Sequence, residues 1–327
     1  PIFLLGLGTF LGFAALLPMT GFWPILIVGS LALWLFSTLI PLADVLAMRA
    51  QAAGQVDYGW LRAFGSAAFI LATIVLGWAM ELTGSQAILY GLLICSIALA
   101  ASARLLPVEP RSGGRPPPIA LADTARLAGR PAFLAFLLAV AALQASHGVY
   151  YAFGSIHWTR LGYSDVTIGF LWGVGVAAEV GFLAVSGWLS KRFSASLLLA
   201  AAGVAAIVRW TLTALDPPLW TLWILQSLHA FTFAATHIAS VVFVVRAAPE
   251  RLAGTAMTLT ASAGFGAATG LAALAAGPLY ATSGPGAYFA MAGLGVVGLL
   301  GALALMRIWD GGLVDQAPHL KDARSSP

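Results

Sequence analysis

The sequence predicts an all-α protein threaded many times through a membrane, and three observations carry that reading. Of its 327 residues, 60% are hydrophobic and 9% charged, against about 25% charged in soluble domains; the mean hydropathy is +0.93. The apolar residues fall in ten long continuous runs, whereas a membrane barrel alternates residue by residue. Lysine and arginine gather in every second connection between the runs. A water-soluble globular protein is therefore excluded.

About twenty apolar residues in a helix cross about 30 Å of hydrocarbon. The runs lie at about 2–19, 22–47, 59–82, 86–105, 132–155, 166–190, 194–214, 218–247, 254–281 and 285–308. Pro24, Pro131 and Pro218 stand near starts, where a missing N–H costs nothing. Gly84, Gly162 and Gly284-Pro285 separate runs. If the helices alternate, thirteen of sixteen Lys and Arg share one side, Arg160 alone takes the other, and Arg62 and Arg209 lie inside runs. The positive-inside rule makes the first side cytoplasmic, with the C-terminus, in a bacterial-type inner membrane. The net charge of +4 thus reflects topology and lipid, not a nucleic-acid surface.

Residues 107–130, rich in Pro, Gly and Arg, read as a cytoplasmic linker with a short amphipathic turn around Ala120–Leu127. It separates a partial N-terminal half (1–106) from a six-segment half (131–309), which a cytoplasmic tail (310–327) follows. Gly77/Gly84 and Gly277/Gly284 keep a seven-residue spacing 200 residues apart, the mark of two parallel halves. On that register two helices precede Pro1, making twelve, and the chain reads as N-terminally truncated. Gly8-xxx-Gly12 and Gly266-xxx-Gly270 read as close helix crossings. Trp23, Trp158, Trp220 and Tyr288 read as interfacial belt residues. The single cysteine, Cys95, allows no intrachain disulfide and no thiolate cluster.

Ionisable groups inside apolar runs point to function, because a charge at mid-bilayer costs roughly 3 kcal/mol or more. Glu179, Arg209, His229 and His237 fall in three consecutive runs. Desolvation and a movable cation together let a carboxyl such as Glu179 load and release a proton. Arg209 cannot deprotonate and needs a cavity or a carboxylate, unless it snorkels to the interface. At 100° per residue, Gln226 and His237 come within about 20° of one face, with His229 about 60° to the other side. An imidazole titrates near neutrality, and His147, with tyrosines including Tyr151 just after it, adds another candidate. Asp44 and Arg62 flank one connection, as a gate-side ion pair or as a contact for a carboxylate solute. The histidines lack partners at metal-ligand spacing, so neither metal nor cofactor is expected.

Four blocks, DYGWLRAFGSAAF, SHGVYYAFGSIHWTRLGYSDVTIGFLWGVGVAAEV, Arg209-Trp210 and LQSLHAFTFAATHIASV, resemble the 3-phenylpropionate permease group of the major facilitator superfamily, related to lactose-permease-type proton symporters. The resemblance implies two six-helix halves, a central solute cavity and proton-driven alternating access by a monomer. It implies coupling by Glu179, Arg209 and His229, which occupy the eighth, ninth and tenth helices of that scheme. Asp44, Arg62, His147, Tyr151, Gln226 and His237 then line the solute path. The tenth helix lacks the second carboxylate of the lactose permease type, which leaves both proton duties to Glu179. The expected partners are a small organic solute, with an aromatic carboxylate as the candidate, and a proton; sugars and nucleosides are alternatives, as is a non-transporting sensor or assembly factor. An intramembrane Ser–His enzyme is disfavoured: Ser155 and His147 on one helix stand roughly 12 Å apart.

Overall fold

A computed structural model describes residues 2–52, 54–56, 58–106 and 121–314. The described residues are helical, and no strand occurs among them. The chain is an all-α, multi-pass membrane protein. Eight helical stretches are long and apolar enough to cross a membrane. The ten runs reduce to eight because the first helix has 14 residues and the last two runs join as one stretch, Glu250–Ile308.

The described residues up to 106, with 164–170, form one compact unit. It holds α1 (Ile2–Ala15), α2 (Phe22–Ala52), α3 (Tyr58–Thr83) and α4 (Gln86–Ser102). Small residues set its packing. A Cβ on Gly12 would meet that of Ala32 at 2.8 Å, and one on Gly6 would meet Leu99 at 2.9 Å. Gly84 ends α3 with φ +81°, a left-handed cap that glycine takes without strain.

The described residues 121–163 and 171–314 form the second unit. Its elements are α5 (Leu121–Ala128), α6 (Pro131–Ala145), α7 (Gly148–Arg160), the body of α8 (Asp165–Ala184), α9 (Ser186–Arg192), α10 (Ala195–Thr213), α11 (Leu219–Ser227), α12 (Thr236–Ala247), α13 (Glu250–Leu259), α14 (Ala268–Ser283) and α15 (Ala287–Ile308). Pro131 opens α6 at its first turn, and the Ser194 hydroxyl accepts from the Leu197 amide to cap α10. The short amphipathic turn read in the sequence is α5, whose Asp123 accepts from Arg251 of α13 at 2.6 Å.

Close packing in this unit runs along α15. Gly295 faces Ala206 of α10, while Gly298 and Gly301 face Leu143 and Ala139 of α6 at 2.7–3.1 Å from an added Cβ. The Gly266-xxx-Gly270 pair has no such role: Gly270 has nothing near it, and Gly266 meets only Ala261 of its own helical stretch. Gly284 ends α14 with φ +55° and ψ −128°, sharing with Gly84 the positive φ but not a left-handed helical cap. Two aromatic residues read as belt are instead core. Trp158 is 1% exposed, against Tyr150 and Trp172, and Tyr288 is 0% exposed, stacked on Trp210. Trp23 and Trp220 do stand exposed.

Candidate functional site

Two interruptions of helical hydrogen bonding build the site. The stretch 131–160 breaks at Ser146 and His147, between α6 and α7. Ser146 donates back to the Leu143 carbonyl and accepts from the Trp210 indole at 3.0 Å, which fixes the break against α10. Gly148 follows because a Cβ there would lie 2.7 Å from that of Ala272 in α14. The second interruption is a π-helical turn, Ala230–Ala235, between α11 and α12. Such a turn holds one extra residue, and π-turns concentrate at functional sites.

Arg209 projects from α10 into the space these breaks create and is 0% exposed. It does not reach an interface. Its Nη1 donates to Thr232 Oγ1 at 2.9 Å and lies 3.1 Å from His229 Nδ1; its Nη2 donates to Gln226 Oε1 at 3.1 Å. Tyr150 donates to the same Gln226 oxygen at 2.8 Å. The guanidinium carbon sits 4.7 Å from the Tyr150 ring centre and 4.3 Å from that of Trp210, distances at which a ring face attracts a cation. The Arg209 Nε has no partner.

These bonds assign both histidine tautomers. Arg209 has donors only, so His229 must turn the lone pair of Nδ1 towards it. The proton of His229 then sits on Nε2, which faces Glu179 Oε2 at 3.6 Å. His147 Nδ1 faces the Leu143 and Gln144 carbonyls at 3.1 and 3.3 Å, so it carries a proton, and Nε2 accepts from Thr232 at 3.1 Å. The chain Arg209–His229–Glu179 can therefore pass a charge change at one end to a proton at the other. Glu179, with a side chain 17% exposed, stands at the far end from Arg209.

Aromatic rings wall the cluster. Tyr151 stacks on His147 at 5.4 Å and on Trp172 at 6.3 Å, Tyr150 tilts against Trp172 at 4.5 Å, and Phe233 stacks on His229 at 5.3 Å.

Of the residues singled out in the sequence, Glu179, Arg209, His229, Gln226, His147 and Tyr151 meet here. His237 does not. It is exposed and lies 5.9 Å from Phe265, because the extra residue of the π-turn rotates everything beyond it by roughly 100°. Asp44 and Arg62 lie in α2 and α3, and their side chains fall outside the described residues. Ser155 accepts from the Trp172 indole at 2.9 Å, whereas His147 bonds Thr232. Sequence reasoning missed Thr232, which joins Arg209 to His147; its place three residues after His229 was the available signal.

Membrane-length helices around a buried, charged and aromatic cluster define a polytopic transporter. The chain belongs to the MFS_1 like family, which it matches over residues 2–291. It is 30% identical over 265 residues, 79% of this chain and 68% of the relative, to the probable 3-phenylpropionic acid transporter of Escherichia coli (strain K12). It is 27% identical over 230 residues to the maltose permease of Geobacillus stearothermophilus, covering 70% of this chain and 58% of the permease. It is 24% identical over 231 residues to the uncharacterized transporter YwbF of Bacillus subtilis (strain 168), covering 70% and 57%. The match thus spans about two thirds of the first relative and less of the other two. All three are named as transporters or permeases, not enzymes.

Proposed function

We propose that this chain carries a small aromatic carboxylate across the cytoplasmic membrane together with a proton, by alternating access, as a monomer whose C-terminus faces the cytoplasm. The observation that carries the reading is the state of Arg209. Its guanidinium is fully buried, its hydrogen-bond partners are neutral groups, and its Nε has none. A buried charge in that condition is costly until an anion joins it. A substrate carboxylate supplies that anion, and the rings of Tyr151, Trp172 and Phe233 suit an arene. The relative named for 3-phenylpropionic acid agrees with this chemistry.

Glu179 is the proton carrier in this account. When the carboxylate engages Arg209, it competes with His229 Nδ1 for the guanidinium. His229 then turns or takes a second proton, and Glu179 feels the change through Nε2. Asp44 and Arg62 serve as a gate pair or a further solute contact. The maltose permease relative favours a sugar as second reading, but a neutral sugar leaves the Arg209 charge unmatched. In vesicles holding the full-length protein, adding 3-phenylpropionate outside should alkalinise the medium as protons enter with it. Uptake without any pH change contradicts symport.

A further inference from the structure

Towards the other end of α7, a second set of ionisable side chains converges away from Arg209. His157 is buried on the last turn of α7. Its Nε2 lies 2.8 Å from Asp216 Oδ1, in the turn between α10 and α11, and its Nδ1 lies 2.7 Å from the Tyr280 hydroxyl of α14. Three elements far apart in sequence are thus joined through one imidazole.

The bonding fixes the neutral state. An ionised carboxylate only accepts, so Nε2 carries the proton and donates to Asp216, while Nδ1 accepts from the Tyr280 O–H. A proton added from water goes to Nδ1. That bond then reverses, with Nδ1–H donating to the Tyr280 oxygen, and the Asp216 contact becomes a charge-assisted imidazolium–carboxylate pair. The site gains one positive charge, and no other bond breaks. The charged and titratable groups facing His157 are Asp216, Tyr280, Tyr288 of α15 with its ring centre at 5.9 Å, and Arg160 on the same helix, 5.4 Å from the Tyr280 ring centre.

Two further observations set this cluster apart from an ordinary helix pin. The His157 side chain is 5% exposed but that of Asp216 is 36% exposed, so the buried ring is paired with a carboxylate that is open on its far side. Asp216 is also the one described non-glycine residue with positive φ, +49°. That strained conformation persists only where its surroundings enforce it, and such residues gather at working sites.

We propose that His157, Asp216 and Tyr280 form a second proton-binding site that clasps α7, the α10–α11 turn and α14 more firmly when the imidazole is charged. It stands independently of the reading of Glu179. The test is the melting temperature of the full-length protein at about pH 5 and about pH 8. Wild type and Glu179→Gln should both gain roughly 2–4 °C on acidification. His157→Gln should lose that gain. So should Asp216→Asn, which keeps the left-handed backbone and an acceptor and so remains informative if the first variant does not fold. The double variant should lose no more than either single one, as for two parts of one unit. An undiminished gain in either single variant, additive losses in the double, or loss of the gain in Glu179→Gln alone overturns the proposal.

Discussion

Arg209 and His229 meet at 3.1 Å through Nη1 and Nδ1, and this contact decides what the far side of the imidazole can do. The guanidinium holds the Nδ1 lone pair, which leaves the proton on Nε2, facing Glu179 at 3.6 Å. In the proposed mechanism a ligand that draws Arg209 away acts at Nδ1, on the side of the ring opposite Nε2 and Glu179.

Arg209→Lys keeps the charge but loses the planar fork that bridges Gln226, Thr232 and His229. The Kd for 3-phenylpropionate, measured by calorimetry on the full-length protein, should rise about 10- to 100-fold, since bidentate carboxylate pairing is specific to arginine. An unchanged Kd removes Arg209 from the substrate contact.

Gly148→Ala and Gly270→Ala should part company. At Gly148 the new methyl lies 2.7 Å from Ala272 Cβ and 2.8 Å from its backbone carbon, so overpacking should cost about 1–3 kcal/mol. At Gly270 nothing stands within 4 Å, and alanine should stabilise the helix by roughly 0.5–1 kcal/mol. Unfolding in detergent reads both signs.

Asp123 ties α5 to Arg251, with Arg126 on its other oxygen. The hydrogen bond from Arg251 holds this carboxyl below its usual value, helped by the two guanidinium charges and opposed by desolvation. A depressed folded value means that the tie is fully present above the ordinary carboxylate range and is lost as pH falls through the lowered value. Spin labels at Leu121 and Gly254, with Cys95 replaced by serine, should keep one narrow distance at neutral and mildly acid pH and broaden only below the ordinary carboxylate range. Asp123→Asn should be broad throughout. A narrow distance in that variant shows that the ion pair does not hold α5.

Much of the helical layout was legible because hydropathy, proline at starts and glycine at ends act locally. Gly84 and Gly284 end their helices with positive φ, the backbone freedom that glycine supplies. The site was legible only in part. Glu179, Arg209 and His229 stood out because charge in an apolar run is rare, and their meeting depends on the order of three consecutive segments. The break at Ser146-His147 and the π-turn at Ala230–Ala235 left no mark in hydropathy, since shifting a backbone bond by one residue changes no side chain. Helical phase therefore carried Gln226 to its place and failed beyond the π-turn at His237. His157, Asp216 and Tyr280 went unread because each looks like a helix-end residue until the fold joins them.

In the proposed mechanism Glu179 carries the coupled proton while Arg209 holds the solute. The most direct measurement is uptake of labelled 3-phenylpropionate by vesicles of the full-length Glu179→Gln variant, with and without an inward proton gradient. The account predicts that uphill accumulation disappears while exchange of internal for external solute continues. Accumulation at the wild-type level under the same gradient contradicts it.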